Sequence, residues 1–222
     1  SQPIPAGGAV YTDALAVEPM ALSLERDGVA VARSPLEGQT PADVASWLDD
    51  SLTGHGLKPV SGMTPPYEMP ADVVMLGRYR TDPGLVSLAA WYDLAHGVLD
   101  RFADAHGDLS PGPSPVRCWP HHFDIATYVA LETGDPETAR GIGVGLSPGD
   151  ESYSQPYLYV NPWPMPDPAG LPDMSPPGHW HTEGFVGAVA TGEAILMLDA
   201  PAAGLTAFIE RAFSLGREQL GA

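Results

Sequence analysis

The sequence predicts an α+β fold: an antiparallel β-sheet in the C-terminal half packed against helices. Three observations carry the prediction. From residue 116 to 190 the chain holds short stretches that alternate in polarity between Gly- and Pro-rich turns, the period of half-buried antiparallel strands. Two segments of the first half and one near the C-terminus repeat apolar residues at helical spacing instead. The helices would then cover one face of the sheet.

Residues 1–20 read as a loosely structured lead-in. Ala21-Leu22-Ser23-Leu24-Glu25 and Val29-Ala30-Val31-Ala32 alternate around Asp27-Gly28, which signals a hairpin. Thr40 is placed to cap a helix, with Pro41 at its first position and Asp43 in its first turn. Val44, Leu48 and Leu52 give that helix one apolar stripe, and Gly54 and Gly56 mark its end. A proline-rich connection covers 59–72.

A second helix is expected from Asp82-Pro83 to about Gly107, with Leu85, Leu88, Tyr92, Ala95, Leu99 and Phe102 on its apolar side. His96 and His106 on or near it read as solvent-facing or locally hydrogen-bonded. A Gly/Pro/Ser-rich break follows from Gly107 to Pro115. Strands are expected at 116–132, 139–147, 156–161 and 178–190, with a reversal at Thr133-Gly134-Asp135-Pro136. The loop from Pro162 to Pro177 is crowded with prolines, rigid without being regular. Asp199 and Pro201 open a last helix with Leu205, Phe208, Ile209 and Ala212 on its buried side. The chain reads as one domain, 1–222, divisible into a hairpin-plus-helices part (1–107) and a main sheet with its closing helix (115–222).

Charge narrows the partners. There are 28 Asp and Glu against 10 Lys and Arg, a formal net charge of −18. A surface this acidic disfavours nucleic acid and anionic membranes, because neither would meet a neutralising patch. The plainer reading is that it keeps the protein soluble; an acidic field that attracts cations or amines is the alternative. No apolar run is long enough to span a bilayer, and the start lacks a signal-peptide pattern. Cys118 is the only cysteine, so no internal disulfide can form, and a cytoplasmic location is expected. A nucleophilic thiol is conceivable with His121 and His122 close in sequence. A small buried hydrophobe beside Trp119 is the plainer reading. Oligomeric state is not indicated.

Strand alternation gathers the chemistry onto one face. His122, Asp124 and Tyr128 share a side of their strand, while His121 points away. On 178–190, His179, His181 and Glu183 point together and Trp180 and Val186 point oppositely. The strand Gly141-Ile142-Gly143-Val144-Gly145-Leu146 leaves one face bare at Gly141, Gly143 and Gly145. Tyr157, Tyr159 and Asn161 alternate on the next strand. With matching registers these residues form a pocket in which the three glycines, both tyrosines and Asn161 contact a small-molecule ligand. Alternatively the glycines make room for Trp163, Trp180 or a covering helix.

Imidazoles and carboxylates suit zinc, iron or manganese, so His179, His181, Glu183 and His122 form a candidate metal set, which Asp124 could also complete. The same groups serve metal-free acid–base chemistry, with Asp124, His181 and Glu183 as candidate catalytic residues. A third reading is a hydrogen-bonded network that fixes the sheet register. The spacing is not the cupin pattern. There is no Walker loop, Rossmann fingerprint, Gly-x-Ser-x-Gly elbow or zinc-finger cysteine set. Asp150 and Glu151 read as a solvated acidic turn within reach of the pocket. The resulting expectation is an enzyme, hydrolase- or lyase-like, acting on a small polar molecule. The alternatives are a non-catalytic ligand- or metal-binding protein and a structural interaction domain.

Several short elements in this order resemble the uncharacterised bacterial domain of unknown function family 5996. They are Pro115 to Ala126 with Phe123-Asp124-Ile125-Ala126, then Tyr157-Leu158-Tyr159 with Pro162 and Pro164, then His181-Thr182-Glu183, and the closing helix from Pro201. Helices at 41–54 and 83–106 fit the same order, about 200 residues in all. The resemblance implies a shared fold and no activity. Asp124, His181 and Glu183 match its pattern, His121 and His122 depart from it, and the N-terminus looks shorter.

Overall fold

The computed structural model describes residues 3–60, 77–119, 122–135 and 137–222. It is an α+β protein with antiparallel sheets. The chain divides into two compact units, Ser1–Ala89 and Ala90–Ala222. Among the described residues no helix is long and apolar enough to cross a membrane.

The first unit is a four-stranded antiparallel meander, β1 (Ile4–Ala6), β2 (Ala9–Ala16), β3 (Ala21–Arg26) and β4 (Val29–Pro35), paired in chain order. Asp27 and Gly28 both have positive φ, 52° and 78°, the conformation a tight hairpin turn demands and the one Asp-Gly adopts readily. The expected loose lead-in at 1–20 is instead β1 and β2. Gly7 and Gly8, at φ 58° and 82°, turn one strand into the next, and Ala9 and Tyr11 alternate inward. Helix α1 (Pro41–Gly54) begins with a reciprocal cap: the Asp43 amide donates to Thr40 Oγ1 at 3.1 Å, and the Thr40 amide donates to Asp43 Oδ2 at 2.9 Å. Of its expected stripe only Leu52 is fully buried, against Tyr11, Leu24 and Leu57. The proline-rich connection lies mostly outside the described residues.

The second unit is built on a seven-stranded antiparallel sheet. Its strands are β5 (Gly112–Pro113), β6 (Arg117–Trp119), β7 (Asp124–Ala130), β8 (Gly141–Ser147), β9 (Tyr157–Trp163), β10 (His179–His181) and β11 (Gly187–Thr191). They run in the order β10-β11-β9-β8-β7-β5, with β6 also paired to β7. Helix α2 (Gly84–Ala105) buries Ala95, Val98, Leu99 and Phe102. A short helix, α3 (Gly192–Leu196), leads to the closing helix α4 (Pro201–Leu220). Leu205, Phe208, Ile209 and Ala212 are its buried side, as the spacing predicts, joined by Phe213. These residues share one core with Ile142, Val144, Leu146, Leu158 and Val160 of the sheet and with the buried stripe of α2. The division of the chain therefore falls at Ala89/Ala90 and not in the 107–115 break, because the second helix's apolar side belongs to the sheet's core.

Gly216 brings α4 close to the strands. A Cβ there would stand 3.0 Å from Pro162 Cγ and 3.2 Å from Ile142 Cδ1. His106, half-buried between the rings of Phe102 and Phe213, meets Glu210 Oε2 at 3.0 Å and ties α2 to α4. The expected strand 178–190 is a hairpin, β10 turning into β11. Gly184 at φ 85° permits the reversal, and His181 pairs with Gly187.

Candidate functional site

Register assigns each side chain of the sheet to one of two faces. Ala126, Tyr128 and Ala130 pair with Gly145, Gly143 and Gly141, and these pair in turn with Tyr159, Asn161 and Trp163. Val189 pairs with both Tyr159 and His179, and Gly187 pairs with His181. Asp124, two residues before Ala126, stands on the same side. Asp124, the glycines, Tyr157, Tyr159, Asn161, His179 and His181 thus share the face opposite the helical core, and Trp180 lies on the core face.

The bare glycine positions are taken up by neighbouring side chains. A Cβ on Gly141 would fall 2.1 Å from Tyr128 Oη, one on Gly143 2.3 Å from Asn161 Oδ1, and one on Gly145 2.6 Å from both Ala126 Cβ and Tyr159 Oη. The space expected for a ligand, or for Trp163 or Trp180, holds Tyr128, Asn161 and Tyr159 lying flat across the strand. Of the three glycines only Gly143 lines the cavity above. The glycines position the polar residues that do contact it.

That cavity has a volume of about 420 Å³. Its wall carries Asp124, Asp150, His122, Ser147, Ser152 and Asn161 between the rings of Trp119, Tyr128, Tyr157, Tyr159 and Phe185. No Lys or Arg stands among these lining residues. Tyr159 donates its hydroxyl to Asp124 Oδ2 at 2.7 Å, while Asp124 Oδ1 is buried without a hydrogen-bond donor. Burial, reinforced by the Asp124 charge, raises the Tyr159 hydroxyl well above the ordinary phenol range, which holds it as the donor. Asn161 Oδ1 is also buried without a partner, against Gly143.

Asp150 organises the loop after β8. Its Oδ1 accepts the amides of Ser152 at 2.8 Å and Tyr153 at 3.1 Å, and its Oδ2 accepts the Tyr157 hydroxyl at 2.5 Å. Burial pushes its carboxyl up, but these hydrogen bonds and the charge of His122 outweigh that and leave it below its ordinary value. The acidic turn is solvent-exposed, as expected from sequence, and Asp150 is in addition hydrogen-bonded to the residues of the cavity wall.

Asp124 follows Phe123, whose φ of 60° is strained for a bulky side chain. The Phe123 amide donates to the Trp119 carbonyl at 2.8 Å, and its own carbonyl accepts the Tyr92 hydroxyl. These contacts hold the turn that delivers Asp124 to the cavity. His121 lies outside the described residues. Cys118 is exposed, contrary to the buried hydrophobe expected, and partial desolvation, then the nearby Asp124 charge, pushes its thiol up to about 11. A raised thiol pKa lowers the thiolate fraction at neutral pH, which disfavours the nucleophilic reading.

The two strand histidines lie elsewhere on this face. Tyr153 Oη sits 3.0 Å from His179 Nε2 and 3.0 Å from His181 Nδ1, and His181 Nε2 meets the Glu183 carbonyl at 2.5 Å. The Glu183 carbonyl can only accept, so Nε2 of His181 carries the proton and its Nδ1 is the acceptor. Burial, then the proximity of His181, lowers the His179 imidazole's pKa. Neither histidine lines the cavity. His181 stacks on Phe185 at 4.2 Å, and Tyr153 packs on Tyr157 at 4.7 Å, so both support its wall from behind.

Glu183 falls beyond the end of β10, exposed, and contributes through its backbone. The set His179, His181, Glu183 and His122 does not assemble as metal ligands. Among the described residues no three His, Cys, Asp or Glu side chains gather as a metal-binding group. The expected catalytic trio separates in the same way: Asp124 lines the cavity, whereas His181 and Glu183 do not. Tyr153 was not singled out from sequence as a partner of the histidines, because it arrives from a loop whose contacts no strand periodicity encodes.

A second groove, of about 800 Å³, shares Tyr128, Gly143 and Asn161 with the first and continues to Trp163 and Arg140. The Arg140 guanidinium is engaged there by Glu132 at 2.8 Å and by the carbonyls of Leu220 and Gly221. No family model, curated protein or solved structure matches this chain.

Proposed function

We propose that the cavity above the glycine strand binds a small organic cation, an amine or guanidine, with Asp124 as the receiving carboxylate. The observation that carries this is the composition of the wall: Asp124 and Asp150 against the single histidine His122, no Lys or Arg among the described lining residues, and five aromatic rings. An anion would meet two carboxylates in a confined space. A cation gains their charge and the ring faces, the latter worth about 0.5–2 kcal/mol per contact. Asp124 is the better receiver of the two. Asp150 already accepts three hydrogen bonds, whereas Asp124 Oδ1 has no donor. The reading stands on the cavity and not on family resemblance, which implies no activity.

The experiment is calorimetric titration with 1,4-diaminobutane, benzylamine and the corresponding alcohols, on the wild type and on Asp124→Asn. Amines should bind more tightly than the alcohols, and Asp124→Asn should lose about 10–100-fold in amine affinity, the worth of one hydrogen bond to a charged group. Amine binding of equal strength in a folded Asp124→Asn protein, or no amine binding at all, would sink the reading.

A second reading, turnover of the bound molecule with Asp124 as general base, is favoured by the strained Phe123 beside it. Backbone strain of this kind concentrates at reactive sites. It predicts that Asp124→Asn abolishes product formation at saturating ligand, which a binding protein has no product to lose. Histidine chemistry at the cavity is not part of either reading.

A further inference from the structure

His179, Tyr153 and His181 converge on one another, and none of them lines the cavity. We propose that His179 Nε2, His181 Nδ1 and Tyr153 Oη form a site for a late first-row divalent ion, Cu²⁺ or Zn²⁺, on the open face of the sheet.

Three features support the site. The first is distance. Ligands about 2.0–2.1 Å from one metal and roughly 90–110° apart lie roughly 2.8–3.4 Å from each other. Tyr153 Oη stands 3.0 Å from each imidazole nitrogen, within that range, so a metal would take the place of the two hydrogen bonds. The second is the partner of the far nitrogen of His181. A ligating histidine characteristically donates its other ring N–H to a carbonyl or carboxylate, which fixes the tautomer and the ring plane. His181 Nε2 does so with the Glu183 carbonyl, which leaves Nδ1 with its lone pair directed at Tyr153.

The third is support and access. β10 presents both imidazoles on one face through its pairing with Val189 and Gly187, and the stacks on Phe185 and Tyr157 hold His181 and Tyr153. His179 is exposed, so an ion can enter. Imidazole and phenolate nitrogen and oxygen donors suit copper and zinc better than magnesium or calcium, which prefer oxygen alone. Three protein donors leave at least one position for water or another ligand. Coordination as phenolate releases the Tyr153 hydroxyl proton to solvent, about one per metal bound if His179 and His181 are already neutral. The site does not depend on what the neighbouring cavity binds.

The competing explanation is a structural triad of hydrogen bonds, with ions held only by the acidic surface. Titration of tag-free protein with Cu²⁺ and with Zn²⁺ separates the two, following heat, proton release in weak buffer and, for Cu²⁺, the phenolate charge-transfer absorption. The site predicts one-to-one binding with proton release, weakened roughly tenfold or more in His179→Ala and in His181→Ala. Tyr153→Phe should lose the absorption band and the released proton while keeping weaker binding.

His179 is exposed, so His179→Ala reads coordination without disturbing packing even where His181→Ala unfolds. Undiminished binding in His179→Ala identifies an adventitious ion on surface carboxylates and overturns the proposal, as does failure of the wild type to bind either ion. A band that survives Tyr153→Phe removes the tyrosine from the site.

Discussion

The two faces of the seven-stranded sheet are built from the same strands and do opposite things. On one, Ile142, Val144, Leu146, Leu158 and Val160 are buried to within 1% of their surface beneath α2 and α4. On the other, the residues between them are Gly141, Gly143, Gly145, Tyr157, Tyr159 and Asn161. β8 in particular is a strand whose every second residue is large and apolar and whose intervening residues, up to Gly145, lack a side chain. The first face is filled by helices from elsewhere in the chain, and the second by side chains reaching sideways from β7 and β9. Packing of the first kind yields stability. The second holds polar groups at fixed positions with unsatisfied hydrogen-bonding capacity above them.

The largest effect should come from the helical face. Phe213→Ala removes a ring that meets Phe102 edge-on at 5.1 Å and His106 at 4.8 Å, and it leaves a cavity between α2 and α4. A loss of about 3–5 kcal/mol is expected in urea unfolding, with amine affinity of the remaining folded protein unchanged. A parallel loss of affinity would show that the two faces are not separable.

An intermediate effect is expected on the opposite face. In Gly145→Val the new Cβ would lie 2.6 Å from Tyr159 Oη, and two methyl groups follow it. Removing a glycine from a strand gains about 0.5–1 kcal/mol, while overpacking costs about 1–3 kcal/mol, so the net change in stability is small or moderately unfavourable. Ligand binding should suffer more, because Tyr159 must leave Asp124 to make room. This reverses the pattern of Phe213→Ala. Full amine affinity in Gly145→Val would mean that the tyrosine over the glycine is incidental.

This contrast also separates what the sequence made legible from what it did not. Period-two alternation is local, so it placed Asp124, His179 and His181 on one face with the glycines and tyrosines, and helical spacing found the buried side of α4. The capped start of α1 and the Asp27-Gly28 turn were legible because each is written in a few adjacent residues. Alternation fails where a strand ends. Read past His181, where β10 ends, it carried Glu183 onto the face of His181, whereas the strand stops there and the backbone reverses at Gly184. It is also silent on which neighbour fills a bare glycine, since that depends on the register between strands and on whether a tyrosine lies flat or stands up. β1 and β2 were hidden for a different reason: β1 is only three residues long, and Gly7-Gly8 reads as flexible until its two flanks are seen to pair.

The smallest effect concerns the loop that buttresses the second face. Asp150 has its carboxyl held below the ordinary value of 3.8, because the hydrogen bonds from Tyr157, Tyr153 and Ser152 outweigh its burial. A depressed folded pKa means that the native state binds fewer protons than the unfolded chain between the two values, so stability falls as pH falls across that interval. The contribution is fully present above the unfolded carboxylate range, begins to fade near the ordinary value, and is gone once the folded carboxyl is itself protonated. Asp150→Asn removes this dependence. The difference in unfolding free energy between wild type and Asp150→Asn should therefore shrink as pH falls below about 4. Asp150 is exposed, so salt should reduce only the part that comes from the charge of His122, leaving the hydrogen-bonded part. A difference that stays flat into the acid limb would mean that the hydrogen bonds around Asp150 do not discriminate between its two protonation states. The polar face would then owe its order to the packing of the tyrosine rings over β8 rather than to the carboxylate that links them.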